Sequence, residues 1–495
     1  MNLKVWEEET FELLLNNGRF QITDCGPLCS PINNFEIKRD GKQRLLLTTR
    51  SDENSKKDTL KFPELPAGTV HSNIACATLS SSDMTVVANG VMPFDQLSRQ
   101  NPATRTYEKT EKAWVHSLEA IPSDVEQVHQ LIEWVDNVDT AFYHWPHNLE
   151  EKLETVAIRT LSGGAEPLTQ RSQERTLSLR GCLWLNIAGH EIYIAPFQNH
   201  KRERPSGPGF ILYKKFPCED IRRKIRECLS FVFGLPLVYL GYTLLSEDFK
   251  LVGFEAVTPY IIDERAYSLP ALPPAPVGRK YANLIDPNVF SRTVNSLFLH
   301  YDELNFRHVS WIYWHAVCSP MHTQPVQFGA GIEALQTAYG KLNKPQYKTK
   351  LLDKQNAEHL REEFLKIVDS IIPEDTKEKE EKDARNALIN KASGLNNPSQ
   401  DTQNERFFAS LSLDMGDKEK NAWQRRNNAA HGNTTKPDDS VELIRDIHLL
   451  KNIFHRIVIS MAEASNQYID CYSPKFPIRQ LRESVDAKDR FFFEG

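Results

Sequence analysis

The stretch WQRRNNAAHGN, Trp423–Asn433, gathers two arginines, two asparagines and a histidine just before a glycine. Each of these types can act on a phosphate. A guanidinium presents a planar fork of donors to phosphate oxygens. Imidazole is the side chain best suited to exchanging protons near neutral pH, and a carboxamide can orient either group. With Asp417 as N-cap and Gly432 as a left-handed stop, the stretch reads as one helix whose Trp423 and Ala430 face the core and whose C-terminal end carries His431. The macrodipole at that end favours a cationic imidazole. Arg426 and His431 are separated by about 140° around a helix, so they cannot lie over one another but can border one groove. Of fifteen histidines, only His431 has an arginine five or six residues before it. The same residues also suit an ordinary exposed helix end, and the types alone leave both readings open.

The elements that must position this motif are helical. Asp286 and Pro287 make a helix start, cap then first-turn proline. Val294, Leu297, Phe298, Tyr301 and Leu304 then recur at helical spacing. Phe328, Ile332, Leu335 and Tyr339 form the stripe of a second helix, and LLDKQNAEHLREEFLKIVDSII reads as a third. The run from Pro373 to Arg406 is charged, then rich in Asn and Ser, and reads as a solvated helix followed by a loop. After the motif helix, Asp439 and Glu442 have capping-box spacing, and Ile447, Leu450, Phe454, Ile457 and Met461 form the stripe of a long last helix. Residues 281–475 therefore predict an all-α bundle of about five helices. The tail beyond it carries aromatics that predict docking on the bundle.

The first part of the chain differs. GKQRLLLTTR, TVHSNIACATLSS and DMTVVANGVM are short apolar or β-branched runs between turn residues. Leu183–Ile187 and Glu191–Ala195 flank a Gly-containing AGH and predict a hairpin. SDVEQVHQLIEWVDNV predicts a helix capped by Ser123, and CEDIRRKIRECLSFVFG another, with Ile221, Ile225, Cys228 and Leu229 on one face. SLPALPPAPVGRK, Ser268–Lys280, holds four prolines and reads as a stiff linker. The expected organisation is α+β: a strand-rich, mainly antiparallel domain over 1–267, the linker 268–280, and a helical domain over 281–495.

Bulk composition narrows the function classes. Net charge is -6 with a pI near 6.2, which supplies no duplex-DNA footprint. The N-terminus lacks the apolar core of a signal peptide, and no run suits a membrane span, so a cytoplasmic protein is expected. The eight cysteines include no CxxC pair. Cys25, Cys29, His71 and Cys76 could together hold zinc, although reduced thiols are the simpler reading. No metal or cofactor is expected. Further candidates are FYHWPHNLE, with His144, Trp145 and His147; the basic loop residues Lys201, Arg202 and Arg204; and the run Lys341, Lys344, Lys348 and Lys350 as an RNA-tracking stripe or a solvated loop. Glu333, in GIEALQ, is placed to pair with Arg426 or to face solvent.

Arg-Asn-x-x-x-His at a helix end, before a long final helix, resembles the HEPN ribonuclease superfamily, with Arg426, Asn427 and His431 as the matching residues. The layout over most of the chain, strand-rich domain, GIEALQ and then RRNNAAHGN, is similar to the ApeA family of antiphage HEPN proteins. The resemblance implies metal-independent RNA cleavage in a homodimer, of tRNA or another structured RNA, in a defence that shuts down translation after a phage-derived trigger. It makes His431 the proton-transfer group, Arg426 the ligand of the scissile phosphate, Asn427 an orienting group, Arg425 a second phosphate contact and Glu333 a support for Arg426. Some HEPN toxins carry a regulatory tyrosine two residues after the histidine. Here that position is Asn433, which shifts control toward the N-terminal domain. The rival readings are a non-catalytic bundle binding nucleotides or a partner, and a ligand-binding β-domain with a helical dimerisation tail.

Overall fold

Alternation in the first half of the chain becomes antiparallel sheet, and 3.6-residue periodicity in the second half becomes helix. The computed structural model describes residues 9–57, 75–100, 107–120, 128–138, 145–153, 157–159, 168–170, 175–197, 207–260, 264–278, 284–342, 345–430, 440–486 and 488–492. The protein is α+β, a strand-rich N-terminal region followed by a cluster of helices. It divides into two compact units. One comprises Met1–Pro273 with Val277–Phe298, the other Pro274–Pro276 with Leu299–Gly495.

In the first unit a ten-stranded sheet runs in the order Gln21–Asp24, Cys76–Ser80, Thr85–Asn89, Ser117–Ala120, Leu251–Val257, Val238–Leu245, Gln130–Asp136, Gly209–Tyr213, His190–Pro196, Leu183–Ile187. A four-stranded sheet orders Cys29–Arg39, Leu45–Lys57, Tyr107–Val115 and Met92–Gln100. Helix α1, Thr10–Leu15, adds Phe11 and Leu15 to a core with Ile37, Leu47, Leu79 and Val86. The expected hairpin forms: Leu183 pairs with Ile194 and Ile187 with His190. Its two turn residues, Ala188 and Gly189, both have positive φ, which gives the twist a tight hairpin needs. Helix α2, Glu219–Phe233, ends on Gly234 at φ 72°. There a Cβ would fall 2.6 Å from the backbone of Leu272, so glycine is required twice over. Ile225, Cys228 and Leu229 are buried as the stripe predicts, and Ile221 is half-buried.

One predicted helix is a strand. Residues 121–127 lie outside the described residues, and Gln130–Asp136 pairs on both sides, buried from Leu131 onward. A strand covered on both faces reads as a continuous apolar run, and Leu131, Ile132, Trp134 and Val135 fit that as well as a helical stripe. The proline-rich stretch also differs from a free linker. Ala271, Leu272, Ala275 and Val277 are buried, and Leu272 abuts Gly234. Helix α3, Pro287–Leu299, belongs through Phe298 to the first unit, where Phe290 meets Phe233 at 4.6 Å and Asn295 accepts a 2.8 Å hydrogen bond from the Ala188 amide. The chain thus passes between the units first within the proline-rich stretch, at Pro274–Pro276, and again after Phe298.

The second unit holds α4 (Phe306–Cys318), α5 (Gln324–Lys341), α6 (Lys354–Ile371), α7 (Lys379–Ala392), α8 (Gln400–Ser410), α9 (Asp417–Ala430) and α10 (Ser440–Met461). With α3 that makes eight described helices where about five are expected from periodicity. α4 is unread in the sequence. α8 lies inside the expected loop, capped by Ser399 and anchored by buried Phe407 and Phe408. The expected stripes are buried on α5, and on α10 as far as Ile457, with Met461 half-buried. α10 is central: Asn452, His455 and Arg456 are buried on its other faces. The tail folds back as a small hairpin, Gln467–Ile469 with Ile478–Gln480, and buried Phe491 meets Tyr472 at 5.2 Å and His448 at 5.8 Å. No helix among the described residues is long and apolar enough to cross a membrane.

Candidate functional site

The motif helix α9 is anchored at its start. Glu419 is fully buried, and both its carboxylate oxygens accept from Arg456 Nη1 of α10 at 3.0 Å. Burial raises the Glu419 pKa, and the Arg456 guanidinium opposes that rise. Arg456 also donates to the carbonyls of Leu481, Arg482 and Asp414, which ties the tail and the entry to α9 to the central helix. Lys418 adds a bond to the Asp489 carbonyl at 2.5 Å.

About two turns further on, the two arginines diverge, as neighbours on a helix must, being about 100° apart. Arg425 turns to α10. Its Nε donates to Asp446 Oδ2 at 2.7 Å, its Nη2 to Asp446 Oδ1 at 2.5 Å, and its Nη1 lies 3.0 Å from Glu442. Burial pushes the Asp446 carboxyl up, and Arg425 offsets this. Arg426 turns to α5. Its Nη2 donates to Glu333 Oε1 at 2.6 Å, and its guanidinium carbon sits 3.6 Å over the Trp423 ring. Gly329, four residues before Glu333 on α5, completes the seat. A Cβ there would stand 2.4 Å from Arg426 Nη1 and 2.8 Å from its Cδ, so the arginine occupies the space a side chain would fill. Arg426 is 9% exposed and Glu333 45%, so the pair is closed on the arginine side and open on the carboxylate side. Arg426 Nε is buried without a hydrogen-bond partner among the described residues.

Of the predicted site residues, Glu333 and Arg426 are brought together. Arg425 is engaged by Asp446 and Glu442 instead of sharing that seat. The Asn427 backbone is in α9, but its side chain lies outside the described residues, as do His431, Gly432 and Asn433. Gly329, Trp423 and Asp446 were not anticipated as parts of the site. Trp423 is three residues before Arg426, the spacing of helical neighbours. Asp446 is four residues after Glu442, a pair of acids on one helix face that could have signalled a basic partner. Gly329 had no signal beyond its helical position.

The other candidates fare differently. Lys350 donates to Asn397 Oδ1 at 2.7 Å, and Arg406 holds the Lys348 and Lys350 carbonyls; Lys344 lies outside the described residues. Trp145 is buried against Phe233 at 5.3 Å. His144, the His147 side chain, Lys201, Arg202, Arg204 and His71 lie outside the described residues. None of the eight cysteines forms a disulfide, and no group of three or more His, Cys, Asp or Glu among the described residues converges to hold a metal ion.

The site is therefore a guanidinium held in a fixed orientation between an aromatic face, a carboxylate and a glycine, on the helix that leads in sequence to Asn427 and His431. The chain matches no family model, no curated protein and no solved structure.

Proposed function

We propose that the protein is a metal-independent RNA endonuclease of the HEPN type, with Arg426, Asn427 and His431 as its catalytic residues. The observation that supports this best is the seating of Arg426 by Glu333 at 2.6 Å and by Trp423 at 3.6 Å. An arginine that must meet a transferring phosphoryl group gains from being held before the substrate arrives, because no reorganisation is then needed during reaction. In this reading the 2′-oxygen attacks the adjacent phosphorus and the bond to the 5′-oxygen breaks, leaving a cyclic phosphate and a 5′-hydroxyl. His431 takes the 2′-hydroxyl proton or supplies one to the departing oxygen. Arg426 neutralises the charge gathering on the non-bridging oxygens, and Asn427 orients the histidine or the phosphate. tRNA or another structured RNA is the proposed substrate, with a homodimer as the working form, the cytoplasm as its place, and release by a phage-derived trigger as its control. The test incubates wild type and His431→Ala with total tRNA in EDTA on a denaturing gel. Discrete fragments from wild type alone are expected; cleavage retained by a folded His431→Ala protein would sink the reading.

A second reading has its own support. Both arginines are already engaged by carboxylates, Arg425 by Asp446 and Glu442 and Arg426 by Glu333. That suits a non-catalytic bundle that binds a nucleotide or a partner. It expects nucleotide-induced thermal stabilisation that survives His431→Ala, with no RNA cleavage even after addition of phage-infected extract.

A further inference from the structure

Helix α4 has two contrasting faces. Inward, Val309, Ile312, Tyr313 and Ala316 are buried, and Tyr313 stacks on Phe454 of α10 with ring centroids 5.0 Å apart. Outward, His308, Trp311 and His315 follow one another at helical spacing, one above the next. Trp311 is 57% exposed. The His315 ring lies against its indole at 3.8 Å, and the His308 ring is parallel to it within 9° at 6.4 Å. His315 Nδ1 is 2.7 Å from the Trp311 carbonyl. A carbonyl only accepts, so Nδ1 carries the proton and the ring is held in place. Arg307, exposed beside this stripe, has no carboxylate partner among the described residues. The helix itself contains no Asp or Glu, in a chain whose net charge is -6.

An exposed indole held by an imidazole, beside a guanidinium with no carboxylate partner among the described residues and without an aliphatic neighbour on its stripe, matches the face of a nucleobase and the phosphate next to it. Every base has a π-face, so such a surface takes single-stranded RNA with little sequence preference. α4 packs against α5, the helix that seats Arg426. We propose that His308, Trp311 and His315 form a stacking platform for an unpaired base of the RNA, with Arg307 on an adjoining phosphate. The inference rests on the nuclease reading and names a part of the surface that holds its substrate.

The test uses full-length His431→Ala protein, which removes cleavage, and a fluorescein-labelled unstructured ten-nucleotide RNA followed by anisotropy. On that background Trp311→Ala is expected to raise Kd roughly 5- to 150-fold, the range that follows from loss of one base–aromatic stack. Trp311→Phe should keep most of the affinity, and an oligonucleotide with abasic positions should lose its dependence on Trp311. Equal Kd values with and without the Trp311→Ala change, in proteins of equal thermal stability, would overturn the proposal, as would no binding at any protein concentration. A Trp311→Ala protein that sediments as a smaller species yet binds RNA unchanged would also overturn it, and assign the face to a second copy of the chain. The two readings fail separately. Trp311-dependent binding without wild-type cleavage, even after addition of phage-infected extract, defeats the nuclease alone, whereas cleavage with Trp311-independent binding defeats the platform alone.

Discussion

Gly329→Ala separates the placement of Arg426 from the stability of the helix that seats it. Gly329 lies inside α5, where alanine is favoured over glycine by about 1 kcal/mol through backbone entropy. The added methyl, however, would stand 2.4 Å from Arg426 Nη1, 2.8 Å from Cδ and 3.1 Å from Cζ, where ordinary contacts begin at 3.4 Å. The arginine must therefore move by about 1 Å, and the side chain cannot simply swing its tip away, because Cδ is blocked as well. Its bond to Glu333 is 2.6 Å long and its contact with Trp423 3.6 Å, so a shift of that size weakens both. A carboxylate bond to a partly exposed partner is worth about 1–2 kcal/mol after screening. The two effects nearly cancel, and the thermal midpoint should move by only a few degrees. Cleavage should fall by about 100-fold, the scale of loss that a 1 Å misplacement of a positioning group brings. The assay is single-turnover cleavage of tRNA in EDTA beside a thermal scan of the same preparation. A Gly329→Ala protein that keeps its midpoint and cuts at the wild-type rate would refute the role of the Arg426 seat. Gly331→Ala is the control. Its methyl would meet the Phe454 ring at 2.8 Å and Ile312 at 3.3 Å, so it should lower stability through the core.

Three further outcomes are expected. Glu333→Gln, which keeps size but removes charge, should reduce cleavage less than Gly329→Ala while leaving the fold intact, read by the same gel; an effect as large as Arg426→Ala would instead make Glu333 a direct participant. Glu419→Ala removes one partner of a fully buried pair and should cost about 3–5 kcal/mol in urea unfolding, because Arg456 is then left uncompensated; a cost below about 1 kcal/mol by that measurement would contradict the anchoring role. Burial, with Lys451 adding to it, pushes the His448 imidazole down to about 4, below its unfolded value near 6.5. The unfolded chain therefore binds the extra proton first, so this contribution is complete above pH 6.5 and is lost as pH falls toward 4, by about 3 kcal/mol in all. His448→Phe should flatten that part of the urea midpoint against pH, leaving the share of His455, whose burial lowers its pKa in the same direction.

What the sequence made legible follows from physical range. The 183–195 hairpin and α2 are local: turn glycines and a short periodic stripe suffice to place them. Gln130–Asp136 was not local, because its strand character comes from being paired on both sides by segments distant in sequence. α4 was unread because aromatic and β-branched residues, FRHVSWIYWHAVC, dilute the helical signal that burial then supplies. At the site, Glu333 was legible as a partner for Arg426 because a carboxylate beside an apolar stripe invites a cation. Gly329 was not, since only the three-dimensional approach of α9 shows that the missing side chain makes room for the arginine. Asp446, which holds Arg425, has the same origin in the packing of α9 on α10.

Arg456 has a consequence for how the motif is tuned. It clamps α9 near Glu419, and the distance from there to Arg426 along the helix is about 10 Å. α9 therefore acts as a lever with its fulcrum at the clamp. A tilt of about 5° at that fulcrum displaces Arg426 by about 1 Å. The fulcrum is shared with the carbonyls of Leu481 and Arg482, so the tail hairpin, which bears no predicted catalytic group, sets the angle of the lever. If the motif cleaves RNA as proposed, substitutions at Leu481 or Arg482 are expected to alter the cleavage rate through the position of Arg426.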